Sequence, residues 1–330
     1  MPTYIRSFSK INLGITIGSP RPDGFHNLTT IYQGLALHDL VTVSGRCSRE
    51  IKIRITSSNS EVPLDNTNTA WKMAERVLKR MQISAEIDIH IEKKLPVRGG
   101  LGAGSANAAA TLIGLERELG QSLIKEDRLR IAAEIGSDVP FFLLGGTVFG
   151  VNRGEEVRSL SDLPTLFCIV AIPPFGISTP HAFSDWDNLQ QATSTTNNKS
   201  EDSANLNNPD KFAQVNHILT SAKDLGENPL FALVRSGIEN DFESVIFSSH
   251  PYLSALKHSL AGSKSDKGQA VYAALSGSGS VLFGLYLTEA DARVAQQRVL
   301  GFTAAESPST AVILTTTLNH DEYWRQIIEY

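Results

Sequence analysis

Residues 95–110, LPVRGGLGAGSANAAA, constrain this 330-residue chain more than any other stretch. Just before them Ile87, Ile89 and Ile91 alternate with Asp88, His90 and Glu92, the period of a half-buried strand. Four glycines follow, Gly99, Gly100, Gly102 and Gly104. Ser105 is a residue type that starts helices, and the alanine-rich run over 106–119 reads as helix. A strand that enters a glycine-rich loop and leaves as a helix makes an anion site. Glycines let backbone amides approach the ligand, and the first helical N–H groups, with the helix dipole, point at it. Phosphate is the expected anion. A Walker loop, however, needs Lys and then Ser or Thr after its last glycine, where this chain has Ser105 and Ala106. A dinucleotide fingerprint needs glycine at Asn107 and an acid ending a later strand, whereas Glu126 and Asp127 open a helical pattern. Read alone, the loop also admits a simple chain turn.

Composition narrows the class. With 41% apolar and 20% charged residues the chain reads as globular, long enough for two ordinary domains or one large one. A net charge of −5 argues against a nucleic-acid partner, which calls for a basic surplus or stripe. Cys47 and Cys168 fit neither a metal spacing nor a disulfide framework, which suggests a reducing compartment. The first residues lack the apolar core of a signal peptide, and no run of apolar residues reaches membrane-spanning length. The expectation is a cytoplasmic protein with no membrane partner; its oligomeric state is left open.

Taken in order, residues 4–17 alternate well enough for a strand but embed Lys10 and Asn12, and a turn cluster follows at 19–24. Strands are expected at 40–43 and 51–55. A helix is expected over 69–81, with Ala70, Met73, Ala74, Val77 and Leu78 on one face. Another spans 125–135, with Gly136 placed as its C-cap. Asp138 then stands before an apolar run, 141–150, that reads as a buried strand. A carboxylate there is costly to bury without a partner, although a plain helix-end turn residue fits as well. The second half predicts a strand at 166–172 and a polar tract at 190–210 that reads as a mobile insert or loop. Helices at 211–223 and 230–236 follow, then a glycine/serine turn at 276–279 before a buried strand, a helix over 289–299 and a strand over 310–315. Strand runs with helices segregated from them indicate an α+β chain.

Lys10, the glycine loop, Asp138 and the 276–279 turn share one explanation. Phosphoryl transfer to a hydroxyl needs a loop for the triphosphate, a carboxylate for the hydroxyl proton and a cation for developing charge. A lysine close to a carboxylate favours its ionised form. The residues that carry these parts are Ser9-Lys10-Ile11-Asn12-Leu13, Arg21-Pro22-Asp23-Gly24-Phe25-His26-Asn27-Leu28, the glycine loop with Asn107, Gly136-Ser137-Asp138-Val139-Pro140-Phe141, Ile177-Ser178-Thr179-Pro180 and Leu275-Ser276-Gly277-Ser278-Gly279. Collinear over 9–279, they resemble the GHMP kinases.

That resemblance implies a two-domain α+β fold. Its N-terminal ATP-binding half, 1–163, would be like ribosomal protein S5 domain 2. Its C-terminal half, 164–330, would be ferredoxin-like and carry the 190–210 insert. It implies ATP as phosphoryl donor with Mg²⁺, and a small-molecule cytidine diphosphate alcohol as acceptor in the cleft between the halves. By motif match Lys10 and Asp138 are the catalytic pair. Pro96, Val97, Arg98, Gly99, Gly100, Leu101, Gly102, Ala103, Gly104, Ser105, Ala106 and Asn107 hold ATP, with Asn68 near the adenine. Phe25 and Phe183 sandwich the cytosine, His26 supplies polar contacts, and Asn12, Tyr32 and Thr179 complete the substrate pocket, a packing role for Tyr32 being an equal alternative. His38 and His90 read as structural. The chain departs from the pattern at Ser7-Phe8-Ser9, at Phe25 for the commoner tyrosine, and in the loop. There Ala103 restricts the backbone where glycine is usual, and Ala106 removes a hydroxyl, so no metal-ligating side chain is assigned. The competing readings are a homoserine, mevalonate or sugar kinase, and a non-catalytic ATP-binding relative. The Phe25-His26 pair opposes the first, and retention of Lys10 and Asp138 opposes the second.

Overall fold

Two long antiparallel strands, β1 (Thr3–Pro20) and β2 (His26–Cys47), carry the rest of the chain. The computed structural model describes residues 2–97, 99–194, 209–263, 267–307 and 309–329. β2 is far longer than the 40–43 strand read from alternation, because polar residues break its pattern without breaking its pairing. Gln33 donates to the Leu318 carbonyl at 2.7 Å, and the fully buried Asp39 accepts from the Lys94 and Leu95 amides and pairs with Lys93. Each buried polar group keeps a partner, so the strand continues.

Next come β3 (Lys52–Ser57), α1 (Thr69–Met81), β4 (Ala85–Glu92), α2 (Ala103–Leu119) and α3 (Lys125–Ile135). α1 and α3 fall where the sequence pattern sets them. α2 lies against β1 and β2 on a stripe of small residues: a Cβ on Gly114 would meet Val43 and Ile5 side chains at 2.7–2.8 Å. Glycine and the buried Ala108, Ala109 and Ala110 therefore set how closely helix and sheet approach.

β5 (Thr147–Val151) and β6 (Glu156–Ser159) close the first half. The apolar run after Asp138 does not begin as the expected strand. Residues Val139–Leu143 make a 3₁₀ turn, and Leu144 and Gly145 amides both return to the Phe141 carbonyl. Pro140 near the start and Gly145 and Gly146 at φ +71° and +74° favour this turn over an extended entry.

The remaining elements are β7 (Phe167–Ile172), α4 (Thr179–Ser194), α5 (Pro209–Asp224), α6 (Pro229–Arg235), α7 (Phe242–Ser249), α8 (Pro251–Ala261), β8 (Tyr272–Leu275), β9 (Leu282–Tyr286), α9 (Glu289–Glu306), β10 (Ala311–Leu318), α10 (His320–Gln326) and β11 (Ile328–Glu329). Of the polar tract 190–210, the first residues extend α4 and the last begin α5; 195–208 lie outside the described residues. α4, α7, α8 and α10 were not legible as helices. The division expected at 163/164 would fall in the connection between β6 and β7. The sheet runs β11-β1-β2-β10-β7-β9-β8, with β5 and β4 also on β2 and β3 parallel to β4. β10 joins the halves by pairing Leu318 with Gly34 and Val312 with Ala171. The chain's last residues thus return to the first half, where Tyr323 donates to the Phe142 carbonyl and Trp324 to that of Leu144. Among the described residues, no helix is long and apolar enough to cross a membrane.

Candidate active site

The strand period of two builds the floor of the site. Lys10 and Asn12 share one face of β1, and register sets Asn12 opposite Tyr32 and Ile15 opposite Thr30, so four polar side chains converge on one patch. Lys10, 2% exposed, donates from Nζ to Asn12 Oδ1 at 2.6 Å, and Asn12 Nδ2 donates to Thr30 Oγ1 at 2.8 Å. The Thr30 hydroxyl in turn donates to the Gly14 carbonyl. Lys10 Nζ also stands 3.4 Å from Asp138 Oδ2 and 5.7 Å from the Tyr32 ring centre. A buried ammonium is tolerable only with partners of this kind.

Asp138 leads the 3₁₀ turn, whose Val139, Phe141 and Phe142 are fully buried and anchor its backbone. Its carboxylate remains about a third exposed, 32%, toward the cleft. Tyr32, 2% exposed, donates its hydroxyl to Asp138 Oδ1 at 3.0 Å. Burial, then the Asp138 charge, push the Tyr32 phenol well above its ordinary range, so it stays a proton donor to that carboxylate. Tyr32 is therefore both packing and polar: its ring lies on Phe141 while its hydroxyl holds the acid.

The glycine loop is tied to this floor at two points. The Lys10 amide donates to the Leu101 carbonyl at 3.0 Å, and the Ser276 hydroxyl donates to the Gly100 carbonyl at 2.9 Å. Gly100, at φ +94°, lies so close to the 276–279 turn that a Cβ would overlap the Ser276 carbonyl. A Cβ on Gly102, at φ +72°, would meet Phe142 at 2.8 Å and Lys10 at 3.1 Å. Two sequence signals thus prove to be one object, with each glycine-rich turn docked on the other. α2 starts at Ala103 rather than after Ser105, and Gly102 is its N-cap. The concern over Ala103 is answered here: it occupies the first helical turn, is buried, and has no positive φ. Its methyl group costs the loop nothing.

Loop residues differ in what their side chains do. Gly99 and Gly100 line the cleft, Leu101 and Ala106 are buried, Pro96 and Val97 are half-buried, and Arg98 lies outside the described residues. Ser105 is half-buried, and its Oγ would lie 3.8 Å from a Cβ on Gly136, so it faces the connection that carries Asp138. Gly104 accepts from the Thr69 hydroxyl at 2.7 Å. Two of the expected ATP-site side chains are engaged in local bonds. Asn107 turns into the helix–sheet interface, where its Oδ1 accepts from Ser7 at 2.7 Å. Asn68 caps α1, with Oδ1 accepting from the Ala70 amide and Nδ2 donating to the Pro63 carbonyl. Both side chains are buried and committed to local structure, which a motif match by itself does not reveal.

The other wall of the cleft, about 640 Å³ in volume, is aromatic. Phe25 is 49% exposed, with the Arg153 guanidinium 5.0 Å over its ring. His26 is buried and stacks on Phe183 at 4.9 Å with planes 6° apart, while its Nε2 meets Asp187 Oδ1 at 2.8 Å. The His26 imidazole thus lies against the Phe183 ring expected to take one face of the sandwich. Thr179 bonds Ser278 at 2.9 Å and so links α4 to the 276–279 turn. Sequence reading missed Arg153 and Asp187. Arg153 sits in an Asn-Arg-Gly turn between β5 and β6, and nothing local marks it; Asp187 is one of two acids on α4, with Asp185. His38 and His90 bond the Ala36 carbonyl and Thr56 respectively.

A glycine loop leading a helix, a buried lysine against a carboxylate, and a cleft opening on both describe a small-molecule kinase. Residues 68–146 match the GHMP kinases N terminal domain, which sets that class. A 4-diphosphocytidyl-2-C-methyl-D-erythritol kinase of Solibacter usitatus is 33% identical over 86% of this chain and 81% of its own length. One from Nocardia farcinica is 39% identical over a shorter stretch, 58% of this chain and 62% of the relative, so that alignment spans less than two thirds of it. A crystal structure of 4-(cytidine 5'-diphospho)-2C-methyl-D-erythritol kinase shares the fold at TM-score 0.68 and 23% identity, covering 95% of this chain and 98% of that one. The chain belongs to the 4-diphosphocytidyl-2-C-methyl-D-erythritol kinase family within the GHMP kinases.

Proposed function

We infer that this chain transfers the γ-phosphoryl group of ATP to the 2-hydroxyl of 4-diphosphocytidyl-2-C-methyl-D-erythritol, a step of the non-mevalonate route to isoprenoid precursors. The observation that carries this reading is the Lys10–Asp138 pair, 3.4 Å apart, with the glycine loop on one side and the Phe25, His26 and Phe183 wall on the other. Asp138 takes the proton of the hydroxyl as its oxygen bonds the γ-phosphorus and the bond to ADP breaks. Lys10 offsets charge on the transferring group, and the loop amides hold the phosphates. The substrate's pyrimidine lies at the aromatic wall, beside the Arg153 guanidinium that covers Phe25 and pairs with Glu155.

Among the described residues no cluster of three or more His, Cys, Asp or Glu stands ready to cage a metal ion. Mg²⁺ bound largely through nucleotide phosphates and water would need only one or two protein oxygens, for which Asp138 in the cleft and Ser105 in the first turn of α2 would be the candidates. When bound, the ion neutralises charge on the β- and γ-phosphates. A cytoplasmic location accords with widely separated, unpaired Cys47 and Cys168.

The test is coupled ADP release with the cytidyl alcohol against homoserine, mevalonate and galactose. Turnover with another alcohol and none with the cytidyl compound removes the assignment. Asp138→Asn should lower kcat by roughly 10²- to 10⁴-fold, the usual contribution of a general base, while ATP still binds. Near-normal kcat would remove Asp138 from that role.

A further inference from the structure

One polar side chain of the cleft wall is held from two directions by a single helix. α4 carries Phe183 and Asp187 one turn apart, at i and i+4, on one face. Phe183 lies flat against the His26 imidazole and is itself backed by the buried Phe242 of α7, whose ring centre is 5.0 Å away. Asp187 meets the ring edge at Nε2, 2.8 Å away. A carboxylate oxygen there accepts, so Nε2 is the donor, and in the uncharged tautomer that this contact selects Nδ1 carries the lone pair. Nδ1 makes no hydrogen bond to the described residues, and His26 lines the cleft.

We propose that Asp187 is a positioning residue that makes His26 a hydrogen-bond acceptor toward the bound base, and so selects an amino-bearing pyrimidine over an oxo-bearing one. The proposal rests on the reading that the cleft takes a cytidine diphosphate alcohol, and it names what sets the base preference. Cytosine presents an exocyclic N–H₂ donor where uracil presents a carbonyl acceptor. A lone pair at Nδ1 attracts the first and opposes the second, and a ring that cannot turn away converts that difference into discrimination. Phe183 removes the freedom to tilt; Asp187 removes the freedom to exchange the proton between the two nitrogens.

The experiment compares kcat/KM for the cytidyl alcohol and its uridine diphosphate counterpart in the full chain and in Asp187→Asn, Asp187→Leu and Asp187→Glu. The wild type should prefer cytidine. The Asn variant can meet Nε2 with either its Oδ1 or its NH₂, so both tautomers become available, and the Leu variant removes the partner. In both, the cytidine-to-uridine ratio should fall roughly tenfold or more, the range for an unpaired buried polar group, through KM more than kcat. Glu should restore part of the ratio. A purely structural role for Asp187 would raise both KM values alike and leave the ratio unchanged, which overturns the proposal. Long-range ¹H–¹⁵N correlation on histidine-labelled protein, with His26→Gln for assignment, reads the tautomer without turnover. Protonated Nε2 and bare Nδ1 are expected, and a protonated Nδ1 in the wild type overturns the proposal. If the wild type turns over neither substrate, the substrate reading fails, and the tautomer measurement still decides the role of Asp187.

Discussion

Replacing Tyr32 by phenylalanine isolates one hydrogen bond to the Asp138 carboxylate, the base proposed above. The ring is 2% exposed and packs on Phe141, so phenylalanine preserves its volume and leaves no cavity larger than an oxygen atom. What disappears is the donor 3.0 Å from Asp138 Oδ1, together with a long 3.4 Å contact to the Gly154 carbonyl. A hydrogen bond to a charged group contributes about 1.5–3 kcal/mol, but Asp138 is about a third exposed and water can replace part of it, so about 1–2 kcal/mol is the fair expectation. If that interaction orients the carboxylate for the proton it must take, the loss falls on kcat, by roughly five- to thirty-fold. The KM for ATP should stay within about twofold, because the loop is held by the Lys10 backbone and Ser276, not by Tyr32. Coupled ADP release at saturating ATP reads kcat and KM, and thermal unfolding reads stability. A kcat unchanged within about twofold, with a lowered Tm, would refute the orienting role and leave Tyr32 a packing residue.

Two further perturbations test the scaffold. Gly100→Ala adds a Cβ against the backbone carbonyl of Ser276 at a φ of +94°, and should destabilise the chain by roughly 3 kcal/mol, read by urea unfolding. Gly104→Ala, with only Thr69 Oγ1 near at 3.6 Å and no positive φ, should be neutral or slightly stabilising; equal losses in both would refute the docked-turn account. Asp241 accepts from the Ile17 amide at 2.7 Å, and burial, the largest cause, raises its carboxyl above the ordinary value of 3.8. A raised folded-state value means this group stabilises the fold most at low pH, and the contribution is lost as pH rises through that value. Asp241→Asn keeps an acceptor for Ile17 without the charge. It should therefore be at least as stable as wild type by Tm at pH 7, with its relative advantage shrinking as pH falls toward 4. A loss of the same size at both pH values would count against the burial argument.

The boundary between what was legible and what was not follows the range of the interactions. α1 and α3 fall where local period and capping residues put them, and the strand, glycine loop and helix around 95–110 are a local pattern of allowed backbone conformations. Long-range neighbours decided the rest. The full length of β2 depends on partners for Gln33 and Asp39 that come from Leu318 and Lys93–Leu95. α10 and β11 are short segments whose place is set by docking on Phe142, Leu144 and β1. Asn68 and Asn107 match a motif and yet serve a cap and an interface, because an amide side chain bonds whatever backbone or hydroxyl the fold brings to it.

The sequence by itself determined a strand, a glycine loop and a helix start by residue type and spacing, while the parts expected of Lys10, Asp138 and the Phe25-His26 pair came from resemblance to the GHMP kinases. Only the tertiary structure decided that Lys10 meets Asp138, that Tyr32 holds the carboxylate, that the two glycine turns dock on each other, and that Asp187 reaches His26 across 161 positions. The physical reason is that these contacts lie between elements. They depend on register in a shared sheet and on burial against a common core, neither of which any local stretch of residues contains.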